Sequence, residues 1–129
     1  MKLGNSKDYI LPVGNLKTKR IVIDVRDTVR AYYELMKNFS DKMNGQAFNV
    51  CGEIEDVKEM EYFTDKLIEI SGLPRVEKRI HKAIYRPIDI EVQIGSTDKI
   101  NNYINWEKSY NLDNTLNDLF NYWIKKLSK

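Results

Sequence analysis

"DVRDTVRAYYELMKNFSDKMNGQAFNVC", Asp24 to Cys51, holds a helix pattern followed by a strand pattern, and the order of the two decides the fold class. Asp24 is a suitable N-cap, and Asp27 three residues on mimics the acidic partner of a capping box. Val25, Val29, Tyr32, Tyr33 and Met36 then recur at helical spacing, so the segment is expected to be a helix ending near Asn38. "FSDKMNG" is a polar connection closing at Gly45. "QAFNVC" alternates with period two, which sets Phe48 and Val50 on one face of a short strand and Ala47, Asn49 and Cys51 on the other. A helix leading into a strand is an αβ unit, and the expected class is mixed α/β.

The remaining sequence extends the same alternation. Asp56 with Glu59 repeats the capping pattern, and Val57, Met60, Phe63, Leu67 and Ile70 form a stripe ending at Ser71 and Gly72, a usual helix stop. "RVEKRI" and "IEVQI" alternate as short strands, and Thr97 to Tyr103 reads as a short helix. Asn111 can cap a last helix with Leu112, Leu116, Leu119, Trp123 and Leu127 on one side, and Lys125, Lys126 and Lys129 suit its C-terminal end.

Composition removes whole classes of function. A chain of 129 residues makes one domain at most. With 31% charged and 42% apolar residues it is neither disordered nor a membrane span by composition. The net charge of +2, with lysines interleaved among acids, gives no basic face of the kind that binds nucleic acid. The opening "MKLGNSKDY" lacks the apolar stretch of a secretory signal and the single cysteine cannot form an internal disulfide, so a cytoplasmic setting is expected.

Chemistry-bearing motifs are sparse. No glycine-rich dinucleotide or P-loop signature is present, so this chain alone is expected to bind no cofactor. His81, the only histidine, has no partner at metal-ligand spacing and reads as a surface or packed residue. Cys51 reads as a small buried hydrophobe, the carboxylates of "EIEDVKEMEYFTDK" as a solvated helix face, and the sequon at Asn38 as a chance match.

A family pattern lies over these elements. "LPVGNLKTKRIVIDVRDTVRAYYELMKN", "AFNVCGE", "LIEISG" and "RPIDIEVQIGSTDKINNYINWEKSYNLDNTLNDLFNYW" are colinear and together resemble the C-terminal part of the extended short-chain dehydrogenases/reductases. Within them the chain is similar to GDP-mannose 4,6-dehydratase and its relative, GDP-4-keto-6-deoxymannose reductase. Arg86, Pro87, Asp89, Gly95, Lys99, Trp106, Tyr122 and Trp123 keep the order of that family's tail, and "GNL-x-x-KR" before "DVRD" carries the GDP-sugar branch.

The resemblance implies an α/β fold made of the substrate-binding portion plus the last helix and strand of a Rossmann sheet, with the complete Rossmann domain absent. Residues 1–23 would contact the nucleotide sugar, residues 24–52 would complete the sheet, and residues 53–129 would form the C-terminal substrate-binding region. Arg86 would reach the diphosphate, where a guanidinium donates two parallel hydrogen bonds and Pro87 keeps the backbone extended. Asp89 would accept a ribose hydroxyl, Arg20 would serve as a second phosphate- or sugar-side arginine, and Lys19 and Asn15 would lie at the nucleotide. The implied ligand is a GDP-sugar, and the implied partner is a companion chain carrying the Rossmann half, or a second copy. In the complete enzyme NADP takes hydride from the hexose C4, water is lost across C5 and C6, and hydride returns at C6.

The departures from the pattern are specific. Ile21 follows the Lys-Arg pair where the family has a polar residue, and Asn105-Trp106-Glu107-Lys108 replaces "GW-x-P". The family's glycine loop, catalytic Ser/Thr and Tyr-x-x-x-Lys belong to a half that has no counterpart here. Tyr33 and Lys37 have the last spacing, but on the helix after "DVRD", where Tyr33 is read as packing and Lys37 as a helix-end cation.

Overall fold

The computed structural model describes residues 9–128. The order of elements is β1 (Tyr9–Val13), β2 (Lys19–Arg20), α1 (Val25–Lys37), β3 (Lys58–Glu59), α2 (Met60–Ser71), β4 (Val76–Ile80), β5 (Val92–Gln93), α3 (Asp98–Asn101) and α4 (Leu112–Leu127). Mixed α/β is the class observed. β1 and β4 form a parallel pair in register Tyr9 to Val76 through Val13 to Ile80. The second sheet is a short three-strand junction in which β2 lies between antiparallel β3 and parallel β5.

Helix boundaries follow local chemistry. Asp24 caps α1 by accepting from the Arg26 amide at 2.8 Å, and Asn38 is its C-cap. Asn111 caps α4 by accepting from Asn114 N–H at 2.8 Å. Gly72 ends α2 in the left-handed region at φ 65°, which a residue without Cβ adopts at little cost. The Asp56 carboxylate does not cap α2. It accepts from Glu53 N–H across a separate 3₁₀ turn, Ile54–Asp56, while α2 begins after Glu59.

Three expectations are corrected. Residues 46–51 are in no sheet: among the described residues no strand pairs with "QAFNVC", and period-two alternation makes a strand only when a neighbour takes its hydrogen bonds. "IEVQI" shrinks to the two residues of β5 for the same reason. "YILPV" was not anticipated as a strand, because Pro12 breaks the pattern of alternation, yet it pairs with β4 along one edge, the setting in which proline is tolerated.

The core is organised differently from the sequence reading. Ala31, Ile100, Ile104 and Trp106 are buried together, with Ile23, Leu35, Phe48, Val50 and Tyr103 packed around them. Helix α1 therefore turns its small and acidic side inward, through Asp27 and Ala31, both 0% exposed. Its apolar stripe faces outward: Val25 is 71%, Tyr33 60% and Met36 77% exposed, and Val29 and Tyr32 are also exposed. Tyr33 is thus not a packing residue. On α4 only Leu116 is buried, while Leu119, Trp123 and Leu127 of the expected stripe are exposed.

Candidate functional site

Two segments distant in sequence are joined along a seam, Gly14 to Arg20 on one side and Tyr85 to Gln93 on the other. His81 N–H donates to Val13 O at 2.9 Å, and Lys19 N–H to Glu91 O at 2.7 Å. Between these anchors the carbonyl of Ile84 crosses Gly14 so closely that a Cβ there would lie 2.7 Å from the oxygen, so this crossing requires glycine. The parallel pairing of Lys19 with Val92 and of Arg20 with Gln93 completes the junction.

Of the five residues named by the family pattern, Arg20 and Asp89 meet at this seam, Asn15 and Lys19 line cavities beside it, and Arg86 lies on the exposed loop after Tyr85. Arg20 and Asp89, 69 residues apart, form an ion pair, with Nη2 3.1 Å from Oδ1. The other terminal nitrogen of Arg20, Nη1, donates to the carbonyls of Lys19 and Ile90, each at 2.8 Å. Asn15 and Lys19 line one cavity of about 250 Å³ with Thr18 and Glu91. Asn15 also shares a second cavity, of about 330 Å³, with Tyr85 and Lys78. Arg86 is exposed on the loop between Tyr85 and Asp89 and is not drawn into the Arg20 pair. Asn15 is partly occupied by its own turn, in which Oδ1 accepts from Lys17 N–H at 3.0 Å.

Charge beside the seam is already balanced. The Lys17 ammonium is 2.8 Å from Glu61, and Lys78 bonds both Glu61 and Asp65. The hydrogen bond from Lys17, then that from Lys78, brings the Glu61 carboxyl down to about 2. Glu61 in turn raises the Lys17 ammonium.

A second polar cluster ties α1 to the chain before α4. The Asp27 carboxylate accepts from Ser109 N–H at 2.9 Å, Ser109 Oγ at 2.7 Å, Tyr110 N–H at 3.1 Å and Arg30 Nη2 at 2.9 Å. Trp106 Nε1–H donates to the Asp27 carbonyl at 3.0 Å. Burial alone would raise the Asp27 carboxyl, but the Arg30 guanidinium and the Ser109 and Tyr110 donors outweigh it and hold the group below the usual carboxylate value. Asp24 is held well below that value, first by its hydrogen bond from Arg26, with Thr115 Oγ1 also donating at 2.7 Å. Arg26 reaches Asp118 on α4 and stacks on Tyr110.

The sequence pattern gave Asp24 and Asp27 to helix capping. Capping holds for Asp24, whereas Asp27 is buried and anchors Ser109 and Tyr110. Its placement four residues before Ala31, on the side away from the apolar stripe, was the available signal. Cys51 is half-buried, and burial pushes its thiol up, so it is not an activated nucleophile. His81 is exposed, its Nδ1 accepting from Ala83 N–H at 3.3 Å. Among the described residues no cluster of His, Cys, Asp and Glu could hold a metal ion, and no helix is long and apolar enough to cross a membrane.

Among the described residues, the N-termini of α1, α2 and α4 do not fit a dinucleotide. Its pyrophosphate needs a helix N-terminus approached through glycines, but α1 starts at an occupied Asp24, α2 at Glu59 and α4 at an occupied Asn111.

Solved structures share this fold. RMD from Pseudomonas aeruginosa, complexed with NADPH, superposes at a TM-score of 0.78 with 20% identity over 93% of this chain and 37% of its own. UDP-glucose 4-epimerase from Thermotoga maritima, with UDP-glucose, gives 0.73 with 21% identity over 95% of this chain and 36% of its own. UDP-glucuronic acid 4-epimerase from Bacillus cereus, in complex with UDP-glucuronic acid and NAD, gives 0.73 with 18% identity over the same shares. The fold is thus of the NAD-dependent epimerase/dehydratase type, and the chain spans little more than a third of the length of these relatives. More narrowly, it belongs to the GDP-mannose 4,6-dehydratase family, whose model matches residues 1–119.

Proposed function

We propose that this chain is the C-terminal, nucleotide-sugar-binding part of a GDP-mannose 4,6-dehydratase-like enzyme. A GDP-sugar lies along the seam, with Arg86 and Arg20 at the diphosphate, Asp89 at the ribose, and Asn15 and Lys19 at the nucleotide. The observation that supports this reading is the convergence of the 14–20 and 85–93 segments, which pairs β2 with β5 and brings Arg20 against Asp89. Arg20, a permanently charged guanidinium held by the Lys19 and Ile90 carbonyls, suits a diphosphate better than a neutral ligand.

Catalysis then depends on an NADP-binding half that these residues do not supply. Support comes from the surface of α1, where Val25, Val29, Tyr32, Tyr33 and Met36 are exposed. The outward stripe of α1 is an apolar face of the kind a sheet-bearing partner would cover. By themselves the seam residues bind and orient, and they offer no group to carry hydride.

Calorimetric titration of the folded chain with GDP-mannose tests the binding. Saturable heat that disappears in Arg86→Ala is expected. A well-folded wild type that gives no heat would overturn the reading of the seam as a nucleotide-sugar clamp.

A further inference from the structure

Arg20 is held in two ways that differ in kind. Both Nη1 contacts go to backbone carbonyls, Lys19 and Ile90 at 2.8 Å, and these fix the guanidinium to the β2–β5 junction. The Nη2 contact to Asp89 is a single bond at 3.1 Å between side chains each about one-fifth exposed. The Asp89 carboxylate oxygen in that bond also accepts from Ile90 N–H at 2.8 Å, so it has a second partner if Arg20 is taken away. Arg20 also lines a cavity of about 300 Å³ together with Asn49, Cys51, Gln93 and Gly95.

We propose that Asp89 is the resident counter-ion of Arg20 and acts as a selectivity gate, an inference that rests on the proposed GDP-sugar site. A phosphate oxygen displaces the carboxylate from Arg20, because the carbonyls keep the guanidinium in place while its Nη2 changes partner. The displaced carboxylate then faces a bound anion. Like charges at that range oppose binding unless the ligand also donates a hydrogen bond to Asp89. A bare diphosphate has no such donor, whereas a nucleoside diphosphate carries ribose hydroxyls beside its phosphates. Asp89 thereby penalises inorganic phosphates and spares nucleotides, selecting through repulsion of the wrong ligand as well as attraction of the right one.

Calorimetric titrations of the full chain with inorganic pyrophosphate and with GDP, on wild type and Asp89→Asn, test this. Asparagine keeps an oxygen for Ile90 N–H and for Arg20 but removes the charge, and circular dichroism checks that both proteins fold. The expected result is that Asp89→Asn binds pyrophosphate about tenfold more tightly, the size of one charge-assisted contact, while its preference for GDP over pyrophosphate shrinks. Weaker GDP binding with unchanged pyrophosphate binding would make Asp89 a ribose ligand only and overturn the gate. An equal loss for both ligands would reduce it to a structural residue. If wild type binds neither ligand but Asp89→Asn takes up pyrophosphate, the counter-ion role stands and the nucleotide reading fails. If Asp89→Asn also binds neither, the gate is refuted.

Discussion

Helix α1 has two faces that contradict the usual arrangement of an amphipathic helix. The face toward the rest of the chain is small and acidic, with Asp27 and Ala31 fully buried, while the face of Val25, Val29, Tyr32, Tyr33 and Met36 is exposed. A satisfied carboxylate, together with the packing of Ala31 and Leu35 on the core, fixes the helix in place. The difference teaches that the apolar stripe is not needed for this chain's own fold and remains open for contact with another surface.

The largest expected effect comes from breaking the buried face. Asp27→Ala removes the acceptor for two Ser109 donors, Tyr110 N–H and Arg30, and should destabilise by about 3–5 kcal/mol, the range for losing one partner of a buried charged network. Urea unfolding followed by tryptophan fluorescence measures it. Gly14→Ala comes next: the new Cβ would press on the Ile84 carbonyl, at a cost of about 1–3 kcal/mol. Because the same crossing aligns the Tyr85–Gln93 loop, that variant should also weaken GDP-mannose binding, which a paired titration and unfolding curve will show.

Acid sharpens the comparison more gently. Asp24, Asp27 and Glu61 all have folded-state values below their ordinary ones, and that of Glu61 is about 2. Their contribution is present above the unfolded-state values, roughly pH 4–4.5, and is lost as pH falls through the folded ones. The urea midpoint should therefore be flat near neutrality and decline below about pH 4.5, and Asp27→Asn should decline less steeply. Smallest of all, Tyr33→Ser on the outward face should change the stability of the isolated chain by no more than about 0.5 kcal/mol. If a companion covers that face, the same variant weakens the assembly, as sedimentation with the companion would reveal.

Much of the fold was legible in local chemistry. Asp24, Gly72 and Asn111 marked helix ends because capping is decided within a few residues. The orientation of α1 was not legible, since a period of 3.6 reports that a helix has two faces and says nothing about which one the rest of the chain covers. Residues 46–51 show the complementary limit: their alternation is that of a strand, but strand pairing belongs to the neighbour. At the site, motif order pointed to Arg20 and Asp89 as separate ligand contacts. Their ion pair spans 69 residues and depends on the β2–β5 register, which no local pattern encodes.

Hydrogen exchange of the folded chain with and without GDP-mannose tests the seam most directly. The account predicts that added ligand protects amides in Asn15 to Arg20 and in Tyr85 to Gln93, and leaves those of residues 46–51 unchanged. Protection confined to other segments, or none at saturating ligand, would contradict it.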